Sequence, residues 1–172
     1  MVQSASDACG AHFERLLQID MDVDVFSSNW SYCDRVSSYV ARMIGHNRTD
    51  SLLYSNLLSS ALNELLETVF RVHRPGGSFA CSVSRLGKRD RIELIIPCDA
   101  AGARFYRDAM NRLQQDDVET QYRSALFAEG PLDPDIGLFE LAVDYAATMS
   151  VEQVGKDAIR LVADLSLEET RR

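Results

Sequence analysis

Residues 54–73 read YSNLLSSALNELLETVFRVH, and their reading decides the fold. Leu57, Leu58, Ala61, Leu62, Leu65, Val69 and Phe70 recur at three- and four-residue steps, which places them on one side of a helix. Thr49 or Asp50 can cap its start, and Pro75-Gly76-Gly77 stops it. A carboxylate, Glu64, sits mid-helix, Thr68 follows one turn later, and the end is basic through Arg71, His73 and Arg74.

Upstream, residues 16–26 alternate Ile19, Met21, Val23 and Val25 with Asp20, Asp22 and Asp24, the period of a strand with one wet face. The three aspartates suggest a calcium loop, but that loop needs Gly at its sixth position and Glu at its twelfth, where Val25 and Ser31 stand. Calcium is therefore not expected. Ser27-Ser28-Asn29 offers a cap for a helix over 30–44, which Gly45-His46-Asn47 closes. Residues 1–10 read as a loose or helical lead-in.

Downstream, 79–86 and 91–98 read as strands around the Gly87-Lys88-Arg89-Asp90 turn. Asp99 to Gly102 turns the chain into a helix over 103–113. Residues 114–134 are polar and irregular, with Gly130-Pro131 and Asp133-Pro134 resisting helix. Residues 136–149 read as another amphipathic helix, and 150–154 pairs with 158–167 about Gly155-Lys156-Asp157. This order predicts a single-domain α+β two-layer sandwich, with one mixed, mainly antiparallel sheet and helices on one face.

The net charge of −8 argues against binding a nucleic-acid backbone, which needs dense Lys and Arg. It suits a protein or small-molecule partner. No apolar run has the character of a secretory signal or the length of a membrane span, so a cytoplasmic protein is expected. Cys9, Cys33, Cys81 and Cys98 lack metal-ligand spacing and read as buried small hydrophobes.

Three segments carry chemistry. Asn63-Glu64-Leu65-Leu66-Glu67-Thr68 sits on the long helix; Asp99-Ala100-Ala101-Gly102 follows a strand; Asp135-Ile136-Gly137-Leu138-Phe139 opens a late helix that continues to Asp144-Tyr145. In this order they resemble the nucleotide site of the histidine-kinase-like ATPase superfamily, the fold shared by gyrase, histidine kinases and anti-sigma-factor kinases. The likeness spans about residues 50–168 and is nearest to small bacterial regulators of the anti-sigma-factor-kinase type. It implies Glu64 as the general base, Asp99 as the acceptor of the adenine amino proton, Gly102 as the glycine that admits the base, and Gly137-Leu138 as the second glycine box. Thr68 stands where the family has its magnesium-binding Asn.

The departures weaken that site. Thr68 offers a hydroxyl in place of an amide carbonyl and is a poorer magnesium ligand. Ala101 stands where a Gly is usual and narrows the adenine slot. Asp135 replaces the first Gly of the second box, where it repels phosphate and makes an N-cap instead. The segment 114–134, in the place of the ATP lid, carries Asp116, Asp117, Glu119, Glu129 and Asp133 against Arg123. Plainer readings stay open beside these: Glu64 as a solvated helix residue next to Glu67, Asp99 as a turn cap, and Gly137 as a point of close helix packing. His73 and His46 both suit helix ends.

The expectation is a signalling regulator with a degenerate ATPase fold that works by binding a regulatory protein, one resembling an anti-sigma antagonist or linked to a phosphatase. ATP and magnesium bind weakly or not at all on this reading. One rival is an active protein serine/threonine kinase, with Glu64 as base, Asp99 reading adenine and Thr68 on the metal. Another is a dimeric phosphotransfer scaffold, a homodimer packed through the helices at 30–44 and 52–73.

Overall fold

In the computed structural model of the protein, which describes residues 12–168, β1 (Glu14–Asp22) leads into a short α1 (Val23–Ser27), then α2 (Ser31–Gly45) and α3 (Ser51–Val72). A hairpin of β2 (Ser78–Leu86) and β3 (Arg89–Pro97) follows, then α4 (Ala100–Leu113), α5 (Val118–Leu126) and α6 (Ile136–Asp144), and a second hairpin of β4 (Thr148–Val154) and β5 (Ala158–Leu165). The strands lie in the order β1-β2-β3-β5-β4, each pair antiparallel. The α+β two-layer sandwich expected from the sequence is the architecture that forms.

Register decides which face is dry. Ile19 lies beside Cys81, Cys81 beside Leu94, Leu94 beside Leu161, and Leu161 beside Val151. These residues and their neighbours two positions away face the helices, and Phe79, Val83, Ile92, Ile159 and Ala163 are buried there. On the opposite face the registers align charge. Arg91 grips Asp164 at 2.7 and 2.9 Å, and Arg160 reaches both Glu93 and Glu152. The long helix supplies the centre of the core through Leu58, Leu62, Leu65 and Leu66, all essentially inaccessible to solvent.

One buried polar network pins the start of α3 to the sheet. Asp90 of β3 is wholly buried and accepts from Arg85 Nε at 2.9 Å. The same arginine donates to the Tyr54 hydroxyl at 2.6 Å, while Arg48 Nη2 lies 3.6 Å from Asp90 and its guanidinium sits over the Tyr54 ring. Burial and the Asp90 carboxylate push the Tyr54 hydroxyl up to about 12.

Three local expectations are corrected. The strand ends at Asp22, not at residue 26: the Asp22 carboxylate accepts from Val25 N at 2.9 Å and starts α1, so Val23 and Val25 belong to a helix. The segment 114–134 is not irregular throughout, because α5 forms over Val118–Leu126, where Tyr122 anchors it on Ile136 and Phe139. The breakers Gly130-Pro131 and Asp133-Pro134 lie beyond its end. The last helix stops at Asp144 rather than continuing to 149: Ala146 adopts a left-handed backbone (φ 49°), Ala147 N donates to Leu141 O at 3.0 Å, and Met149 and Val151 then alternate as a strand. Cys33, Cys81 and Cys98 are free and buried; Cys9 and the lead-in at 1–10 lie outside the described residues.

Candidate functional site

Glu64 and Gly137 meet where α6 crosses α3. A methyl group on Gly137 would stand 2.7 Å from Glu64 Oε2, 3.0 Å from its carbonyl oxygen and 3.2 Å from its Cβ. A side chain there would force Glu64 to shift, so the glycine lets the two helices lie close. Leu138, beside it, is fully buried in the main core.

Glu64 faces other acids. Burial, then Glu140 and Glu67, push its carboxyl up from the ordinary 4.5 to about 7, with Arg71 opposing. Glu140 is itself raised by burial, Asp144 and Glu67. Glu67 is held by Asn63 Nδ2 at 2.8 Å and Arg71 Nη2 at 2.9 Å, and the Tyr122 hydroxyl donates to Asp144 at 3.2 Å. The sequence reading missed Glu140 as a neighbour of Glu64. Glu140 stands one helical turn after Gly137, so the signal was present once Gly137 was known to touch Glu64.

This cluster has a pH consequence. Folded Glu64 holds its proton more tightly than unfolded Glu64, so between about pH 4.5 and 7 the native state carries the extra proton. The associated stability is complete below 4.5 and is lost as pH rises through 7. Glu64→Gln is expected to be more stable than wild type at pH 8, with the advantage shrinking towards pH 5. Urea unfolding at the two pH values checks this; equal differences at both would remove Glu64 as the titrating group.

The remaining candidates are placed as follows. Thr68 is fully buried, and its hydroxyl donates to Glu64 O at 2.9 Å, a back-bond within α3. The hydroxyl is committed to the helix and closed off from solvent. Asp99 is the N-cap of α4 and accepts from Gly102 N at 2.9 Å. Gly102 is tight against Cys98, whose Cβ would lie 2.9 Å from a methyl there. Asp99 and Gly102 line a cavity with Val72, His73, Arg74, Cys98 and Ala101, and Glu64 is not part of its wall. Val72 lies eight residues beyond Glu64 on α3, about 12 Å along the axis. The structure therefore brings Glu64 and Gly137 into contact and places Asp99 and Gly102 on a cavity whose wall does not include Glu64.

Asp135 precedes α6 but caps nothing with its side chain. It is buried and accepts instead from Arg112 Nη1 at 2.7 Å, while Arg112 also covers the Phe139 ring. The expected N-cap is thus replaced by an ion pair to α4, since a buried carboxylate needs a charged partner more than a single amide. Among the described residues no group of His, Cys, Asp and Glu is arranged to hold a metal ion, and no helix is long and apolar enough to cross a membrane.

No family model and no curated protein matches the sequence. Among solved structures, the chain is similar to one in the crystal structure of the SiaB–SiaC complex from Pseudomonas aeruginosa, at 7% identity and a TM-score of 0.51. The likeness covers 88% of this chain and 90% of that one, so the two share a fold along nearly their whole lengths.

Proposed function

We propose that the protein is a bacterial signalling regulator with a degenerate histidine-kinase-like ATPase fold, and that it acts by binding a partner protein. The observation that carries this reading is the seating of Gly137 on Glu64. A carboxylate that activates a hydroxyl for phosphoryl transfer needs open space on its reactive side, and a neighbouring ligand for the metal. Here α6 lies against one side of the half-buried Glu64, and the Thr68 hydroxyl is spent on a backbone carbonyl. The acids Glu67 and Glu140 beside Glu64 would repel a triphosphate rather than stabilise it. In this arrangement the residues present do not fit a magnesium–triphosphate group. Partner binding is supported by the fold shared with a chain from a two-protein complex; the partner class we favour is an anti-sigma-antagonist-like or phosphatase-linked protein.

Calorimetric titration with Mg-ATP tests the proposal. The expected result is no saturable heat and an unmoved melting temperature, because a ligand that binds only the native state would raise it. Micromolar affinity would overturn the claim of a weakened site.

One observation favours the rival kinase. A carboxyl at about 7 is poised for general-base work near neutral pH. If Glu64 is that base, transfer of labelled γ-phosphate to a co-encoded partner will disappear in Glu64→Ala. Labelling that survives the substitution excludes Glu64 from the role.

A further inference from the structure

Helix α2 carries two apolar stripes. Cys33, Ser37, Val40 and Ile44 are buried on the side that enters the core. One step round the helix, Tyr32, Val36, Tyr39 and Met43 repeat at spacings of four, three and four, the rhythm of a helix–helix seam. No element of the described chain covers the far half of that second stripe: Tyr39 is 55% exposed and Met43 51%.

The near half opens onto a groove of about 300 Å³ between α2 and the edge strand β1. Met21, Val25, Phe26, Tyr32 and Val36 line it, and Val25 is 62% exposed. Asp20 and Asp22 form its acidic rim. At the other end of the stripe the charge reverses. Arg42, between Tyr39 and Met43, makes no ion pair among the described residues and leaves a cationic group on this face.

We propose that this surface binds a second copy of the same chain, about a two-fold axis passing near Val36. Antiparallel α2 helices then lay the protruding half of one copy, Tyr39, Arg42 and Met43, on the groove of the other. The same contact recurs in reverse, as a two-fold interface requires. Arg42 meets the acidic rim of Asp20 and Asp22, so each copy supplies the sign that the other lacks. That self-complementarity selects a copy of this chain over an unrelated partner, around an apolar centre of the kind stable interfaces have. The surface differs from the one expected from the sequence: α3 contributes nothing, because its apolar face is already the centre of the monomer's own core.

Sedimentation equilibrium on the full chain tests the inference. Wild type is expected to dimerise. Tyr39→Glu and Met43→Glu are each expected to weaken the dimer by at least about thirtyfold, the scale of an interface hot spot. Far-UV circular dichroism should stay unchanged, since both side chains are exposed in the monomer. Arg42→Glu should also weaken it, and Asp20→Arg in the same chain should restore it. A wild-type monomer at every concentration overturns the proposal, as does a dimer indifferent to Tyr39→Glu and Met43→Glu. Neither result bears on nucleotide binding.

Discussion

Arg85→Met is expected to lower the unfolding free energy by about 3–5 kcal/mol, the cost of stranding a buried carboxylate. Asp90 has no route to solvent, and its second oxygen has no hydrogen-bond partner. Arg85 Nε is its close donor at 2.9 Å; Arg48, at 3.6 Å, is too far to replace it. The substitution also removes the donor to Tyr54, so the first turn of α3 loses its tie to the sheet. Urea unfolding should show a lower midpoint with an unchanged slope, and the melting temperature should fall by ~6–20 °C for a chain of this size. Arg91→Ala is the control. Its partner Asp164 keeps a second arginine, Arg89 at 3.1 Å, so removing Arg91 does not strand the carboxylate and should cost less. A loss for Arg85→Met no greater than for Arg91→Ala would show that the Arg85–Asp90 pair does not hold α3 to the sheet. The effect reaches the candidate site because α3 carries both Tyr54 at its start and Glu64 at its middle.

Gly137→Ala is expected to cost about 1–3 kcal/mol, the usual penalty for adding a methyl group to a packed interface. Two of the three atoms it would meet can respond differently. The Glu64 carboxylate oxygen at 2.7 Å can swing away, whereas the Glu64 carbonyl oxygen at 3.0 Å belongs to the α3 backbone and cannot. Combining Gly137→Ala with Glu64→Ala should therefore recover part of the loss, with a coupling of at least about 0.5 kcal/mol in a double-mutant cycle. Wild-type stability for Gly137→Ala would show that α6 stands clear of α3 in solution. That would reopen the space beside Glu64 and weaken the case against nucleotide. The pair of measurements thus tests the packing on which the proposed function rests.

The parts of the fold legible beforehand were those set by short-range rules. Apolar spacing placed α3, Asp50, one of the two caps the sequence offered, accepts from Leu53 N at 3.1 Å, and the turn at Gly87 joins β2 to β3. The misread boundaries each turn on a local competition that spacing does not resolve. Residues 19–25 alternate as a strand should, but the Asp22 cap to Val25 and the bond from Gly76 N to Asp24 at 2.9 Å favour a helical turn. Helix α5 was hidden because its nine residues bury one aromatic, Tyr122, against residues that come later in the chain.

By itself the sequence determined the kinds of element, most of their limits and the division into a wet and a dry sheet face. Hydrophobic period, caps and glycine turns act within a few residues and need no knowledge of the rest of the chain. Only the tertiary structure decided that Glu64 lies under Gly137 beside two other acids, that Thr68 is sealed, that Asp135 pairs with Arg112, and that α2 leaves a stripe uncovered. Those outcomes depend on which faces of distant elements meet, and the burial that shifts a carboxyl or hides a hydroxyl exists only once they have met.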